Sequence, residues 1–149
     1  MPLLYFLFCL FIFPVAVSRS TPVVSTTPPN RKQVSVEGRL LCGHQPADNV
    51  PIHLMQYRKN ADGTGEEVRL SQGYTNRQGR FALSAPTIFQ PHFKHRLILF
   101  HDCDDGFEPC HRRWKLNVPS KYAESSRTFS LGTVNLETRL RHETRHCIA

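Results

Sequence analysis

Gly73-Tyr74-Thr75-Asn76-Arg77-Gln78-Gly79-Arg80-Phe81 reads as the end of one strand, a tight polar turn and the start of the next. Gly79 supplies the positive φ that a tight reversal needs, and the Asn76 amide can bond to its own backbone at the turn's start. Beyond it, Phe81 and Leu83 alternate with Arg80 and Ala82, the period of a strand with one buried face. The stretch is therefore expected to form a central hairpin, and the meaning of so short a motif depends on what flanks it.

The flanks repeat the same pattern. Before the motif, strands are expected over residues 34–42, 50–57 and 66–71, the last running into the motif itself. Asn60-Ala61-Asp62-Gly63-Thr64-Gly65 between the second and third is a strong hairpin-turn signal. After it, strands are expected over 80–84, 96–101, 113–118 and 128–136, with one helical turn at 119–126 and Pro119 near its first position. Leu97-Ile98-Leu99-Phe100 is apolar at consecutive positions, so the fifth strand is expected to be central. Seven short strands separated by turn residues predict an all-β fold, a seven-stranded antiparallel β-sandwich. The tail 137–146 is read either as helical, through a Glu137/Arg141 pair at i,i+4, or as frayed.

Composition bounds the rest. The chain of 149 residues is one domain by length, preceded by an apolar run over residues 3–13 and small residues at Ala16 and Ser18. That pattern predicts a signal peptide over 1–18, although Met1-Pro2 carries no positive charge. Residues 19–33 are rich in Ser, Thr and Pro with little to bury, and predict a flexible leader before a domain at 34–147. No second apolar run follows, so the expected product is secreted and extracellular, without a transmembrane segment.

Of five cysteines, Cys9 leaves with the signal, and Cys42, Cys103, Cys110 and Cys147 remain. An even number in an exported chain suggests two disulfides with three connectivities open. The expected pairing is Cys103–Cys110 across a short loop and Cys42–Cys147 tying an early strand to the C-terminus. The latter would close a loop of about 100 residues, worth on the order of 4–5 kcal/mol in the chain-entropy picture.

Six short pieces in order then resemble the nematode transthyretin-like proteins. They are Gly38-Arg39-Leu40-Leu41-Cys42, Val50-Pro51-Ile52, the motif from Gly73 to Phe81, His101-Asp102-Cys103, Val118-Pro119-Ser120-Lys121-Tyr122 and Leu131-Gly132-Thr133-Val134-Asn135-Leu136. The resemblance implies a secreted transthyretin-like β-sandwich over most of the mature chain. Asn76 stands where that family more often has Asp, and the tail is unusually rich in Arg and His. No ligand is carried over by the resemblance.

Three stretches suggest chemistry. His142-Glu143-Thr144-Arg145-His146 matches H-E-x-x-H, whose histidines share a helix face and whose Glu can activate a zinc-bound water. Three residues follow it, too few for a downstream third ligand, so a solvated tail is expected and no metal is assigned. The loop from His101 to His111 gathers histidines, acids and cysteines, but thiols paired in an oxidising compartment are lost as ligands. The transthyretin fold also carries 5-hydroxyisourate hydrolases, which end in Tyr-Arg-Gly-Ser; this chain ends His146-Cys147-Ile148-Ala149. No catalytic residue, cofactor or enzymatic activity is therefore expected.

Charge is the remaining signal. Lys and Arg number 19 against 12 Asp and Glu, a net charge of +7. Such a surface favours anionic partners outside the cell, phospholipid headgroups or glycosaminoglycans, or else an acidic protein. Nucleic acid is not expected, since no reading module is present. Lys94, Arg96, Arg112, Arg113 and Lys115 are the candidate contacts, within a binding or adaptor module of the extracellular space. The alternatives are a carrier of small hydrophobic molecules or, from a different class, a hydrolase or metal enzyme built on surface histidines.

Overall fold

The computed structural model describes residues 32–62, 64–87 and 92–147. The expected signal peptide and residues 19–31 lie outside that range, while Lys32 and Gln33 already belong to the first strand. The strands are β1 (Lys32–Cys42), β2 (Gln45–Pro46), β3 (Pro51–Lys59), β4 (Gly65–Tyr74), β5 (Arg80–Thr87), β6 (Lys94–His101), β7 (His111–Val118), β8 (Thr128–Asn135) and β9 (Thr144–His146). One helix, α1 (Ser120–Ser125), follows Pro119.

Two sheets face each other. In one, β1 pairs with β2 and β5 on antiparallel registers and with β8 in parallel. In the other the order is β4-β3-β6-β7-β9, every pair antiparallel. The expected sandwich is thus present, with a parallel β1–β8 pair in place of a uniformly antiparallel sheet. As its unbroken apolar run implied, β6 lies in the middle of its sheet. The core is the set of inward positions: Val34, Val36 and Leu40 of β1, Phe81, Leu83 and Ala85 of β5, Ile52 and Leu54 of β3, Leu97 and Leu99 of β6, and Trp114 of β7. A period of two in each strand is what delivers these residues to one side.

The motif that opens the domain's reading does something other than expected. Tyr74 pairs with Pro51 in one sheet and Arg80 pairs with Arg39 in the other, so the turn carries the chain between sheets and is not a hairpin. Thr75 fixes that departure. Its buried hydroxyl accepts from Val50 N at 2.8 Å and donates to Ala47 O at 2.7 Å, anchoring the chain to the start of β3. The Asn76 carboxamide oxygen then accepts from the backbone N–H of Gln78 and Arg80. Gly79 has φ +72°, and a β-carbon there would lie 2.2 Å from the Leu40 carbonyl oxygen. Only glycine fits, because that carbonyl belongs to the strand receiving the chain; Leu40 N in turn donates to Gly79 O at 2.8 Å.

The disulfides are Cys42–Cys103 and Cys110–Cys147, not the expected Cys103–Cys110 and Cys42–Cys147. Cys103 follows the end of β6 with its side chain turned into the core, where it meets Cys42 at the end of β1; the bond staples one sheet to the other. Cys110 immediately precedes His111, which is paired with His146, so continuing the register by one brings Cys147 opposite it. Nearness in sequence misleads here because Cys103 faces the interior while Cys110 lies on the sheet edge.

The tail is neither helical nor frayed. It turns after Asn135 and returns as β9 along the edge of β7. Among the described residues no helix is long and apolar enough to cross a membrane.

Candidate functional site

The outer face of the five-stranded sheet collects the charge. Side chains directly opposite across antiparallel pairs share a face. The registers therefore place His53, Ile98 and Lys115 in one outward row, with Met55, Arg96 and Asn117 in a second and Phe100, Arg113 and Thr144 in a third. From β4, Arg69 joins beside Met55 and Glu67 beside Tyr57, which is also opposite Lys94. Arg69, Lys94, Arg96, Arg113 and Lys115 thus share the face with Glu67, the one carboxylate among the described residues at outward positions of these strands.

Each expected contact residue has a distinct setting. Lys94 and Lys115 are exposed. Arg96 sits over the Tyr57 ring, its guanidinium carbon 3.4 Å from the ring centroid, and pairs with Glu67 at 3.5 Å. Arg113 is half-buried, its Nε donating to Thr144 Oγ1 at 3.0 Å. These four stay on the accessible side. Arg112 does not: it is 1% exposed, and the candidate assignment is corrected accordingly. On β7 it occupies the inward phase with Trp114, a neighbour of Arg113 only in sequence.

What Arg112 does instead is hold the tail. Its guanidinium donates to the carbonyls of Cys103 (2.8 Å), Leu136 (3.0 Å) and Thr138 (2.9 Å), and to both carboxylate oxygens of Glu143 (3.1 and 2.8 Å). Trp114 Nε1 and Leu140 N also donate to Glu143. With those donors, the Arg112 bonds foremost, the Glu143 carboxyl is held well below its ordinary 4.5, at about 2. The Glu of the H-E-x-x-H motif is therefore a structural counter-ion, and His142 lies in the turn before β9 while His146 ends that strand, so the two do not share a helix face. Among the described residues no group of three or more His, Cys, Asp or Glu is placed to hold a metal ion.

At the centre of the cationic face are aromatic rings. Phe100 packs edge-on to His53, with centroids 5.0 Å apart, and against His146 at 5.2 Å. Burial, then the Arg69 charge and His146, depress the His53 imidazole below its usual range. His101 faces the opposite way, packed against Trp114, and burial followed by the Arg112 charge lowers it to about 4. It is part of the interior and not of this face.

The loop joining β6 to β7 forms a second feature. Asp105 is buried and accepts two bonds from Arg145, at 2.7 and 2.8 Å, which keeps its carboxyl below the ordinary range. His111 Nδ1 meets Asp102 at 2.7 Å, and Arg139 donates to the Asp104 carbonyl. At the loop's tip Phe107 is 105% exposed.

The model of the transthyretin-like family matches residues 37–119. Transthyretin-like protein 33 of Caenorhabditis elegans is 32% identical over 123 residues, 78% of this chain and 82% of its own length. Transthyretin-like protein 46 of the same organism is 36% identical over 126 residues, covering 78% of this chain and 66% of that one. The chain belongs to the transthyretin-like family.

Within this family member the matched segment spans β3 to β7, which carry most of the cationic face, and stops short of β9. The sequence reading found four of the cations and missed Arg69, His53, Phe100 and His146. Arg69 was visible as an outward residue only once the β3–β4 bulge between Leu54 and Met55 fixed its phase. His146 joins the face because β9 pairs with β7, a long-range event that no local pattern announces. Phe107 was legible as apolar, but its exposure depends on the loop's bracing.

Proposed function

We propose that this transthyretin-like protein is a secreted, disulfide-bonded binding module that docks on anionic surfaces through the outer face of β4-β3-β6-β7-β9. The observation that supports this reading is the row geometry: Arg69, Lys94, Arg96, Arg113 and Lys115 share one broad sheet face with Glu67. A flat array of that kind suits a repeating polyanion, where several contacts of modest strength add and all are screened by salt. Phe100 and Ile98 lie low among the cations and give the face a rigid apolar floor. Two disulfides fit an extracellular setting.

Phosphate headgroups and sulfated polysaccharides share this chemistry. The test is co-sedimentation of the oxidised mature chain with neutral and anionic liposomes, with heparin beads in parallel, through rising salt. Retention on either anionic matrix, lost with salt and lost in Arg113→Glu/Lys115→Glu, is the expected result; the matrix that retains the protein names the ligand class. No retention at physiological ionic strength on either matrix would overturn the reading.

A further inference from the structure

The sheet that carries the cationic face has unlike ends, and they are complementary. At one end, the loop between β6 and β7 is braced to an unusual degree for a surface loop. Cys103 is bonded to Cys42 and Cys110 to Cys147, while Asp105 is clamped by Arg145 and Asp102 by His111. This scaffolding holds Phe107 wholly in water, beside Glu108. A rigid, fully exposed aromatic has its ordering cost already met, which is the profile of an interface anchor.

At the other end of the same β6–β7 ribbon lies a recess of about 270 Å³, lined by Tyr57, Lys94, His95, Asn117, Val118 and Pro119 among others. A cavity of roughly 150 Å³ is enough for a benzene ring. The floor, Val118 and His95, is buried and fixed, and Lys94 stands exposed at the rim. Because His101 pairs with Arg112 and His95 with Val118, the two features are six residues apart along the ribbon, roughly 20 Å. One molecule cannot join them.

We propose that this chain self-associates head to tail, the Phe107 ring of one copy entering the Tyr57–Pro119 recess of the next, with Glu108 meeting Lys94. Asp102, Asp104 and Asp105 are already paired with His111, Arg139 and Arg145, which leaves Glu108, beside Phe107, as the loop carboxylate that argues for a cationic rim, and this protein itself supplies one at Lys94. The contact is heterologous, so it builds open chains or a ring. It shares Lys94 with the polyanion reading but does not rest on it, since Phe107 lies beyond the cationic face and self-association is measured with no polyanion present.

The test is sedimentation equilibrium of the oxidised mature chain over a series reaching roughly 1 mM, in the affinity range a small contact of this kind would have. The average mass is expected to rise with concentration, and less so at high salt. Phe107→Ser should weaken association at least about tenfold without shifting the melting temperature, as a fully exposed ring contributes nothing to the fold. Asn117→Arg, which crowds the recess from an exposed position, should do the same. The decisive sample is an equimolar mixture of the two variants: one keeps the recess and the other the knob, so they should form a capped dimer and nothing larger. A wild-type mass fixed at the monomer, or Phe107→Ser associating as strongly as the wild type, would overturn the proposal.

Discussion

Replacing Glu143 by Gln tests whether the C-terminal tail is held by a buried charge pair. Arg112 is 1% exposed, and the Glu143 side chain is 20% exposed, so the substitution leaves a guanidinium inside the protein facing a neutral amide. Loss of one partner of a buried, hydrogen-bonded pair costs about 3–5 kcal/mol. The three carbonyls that also accept from Arg112 soften that figure towards its lower end. Linkage supplies a second route to the magnitude: a carboxyl moved from 4.5 to about 2 by the native fold corresponds to roughly 3 kcal/mol. The sign follows from the depressed value. The unfolded chain takes up this proton first, so the stabilisation is complete above about pH 4.5 and is lost as the pH falls towards 2.

Trp114 is the only tryptophan and donates directly to Glu143, so its fluorescence reports this site. In denaturant titrations with disulfides intact, Glu143→Gln is expected to lose about 3 kcal/mol at pH 7 and to show a flatter acid limb between pH 4.5 and 2. Arg112→Met/Glu143→Leu should recover little of the loss: it removes the unpaired charge but leaves the Cys103, Leu136 and Thr138 carbonyls and the Trp114 Nε1–H without partners. A loss under about 1 kcal/mol at pH 7, with the acid limb unchanged, would refute the argument.

Other outcomes follow from single contacts. Gly79→Ala should fail to fold or unfold at far lower denaturant, because its β-carbon overlaps the Leu40 carbonyl and φ is +72°; far-UV circular dichroism during a urea titration measures it. Asn76→Ala removes an acceptor for two backbone N–H groups and should cost about 1 kcal/mol in the same assay. His101→Leu should matter through pH: the native imidazole, at about 4, resists protonation, so wild-type stability falls as pH drops from 6.5 to 4, and the variant should lose that slope in melting temperature. Disulfide mapping needs Asp-N as well as trypsin, since no Lys or Arg separates Cys103 from Cys110; the expected linked peptides join Cys42 to Cys103 and Cys110 to Cys147.

How far the chain could be read in advance differs between its faces and its ends. Phe81 and Leu83 were correctly placed inside because alternation is local, and the same rule put Arg113 and Lys115 outside. The same alternation turns Arg112, one position out of phase with them, inward, although it clusters with them in sequence. The turn from Thr75 to Gly79 shows the opposite limit. Its residues announce a reversal, but whether the next strand joins the same sheet depends on Thr75 meeting Ala47 and Val50, more than twenty positions earlier. Cysteine pairing failed for the same reason, because a sulfur's direction is set by strand phase and not by separation along the chain.

The tail carries this reasoning furthest. Read locally, His142 to His146 offers zinc chemistry, and a helix would be required to bring the two histidines together. The chain instead spends Glu143 on Arg112, and that bond keeps 144–146 extended against β7. The consequence is functional as well as structural: an extended β9 alternates its side chains, placing His146 on the cationic face beside Phe100 while Glu143 sits underneath against Trp114. Breaking the Arg112–Glu143 pair should therefore weaken polyanion retention even though neither residue is accessible, by releasing the edge strand from the face. If Glu143→Gln retained full heparin binding under conditions where it remains folded, β9 would be excluded from the binding surface, and the face would end at β7.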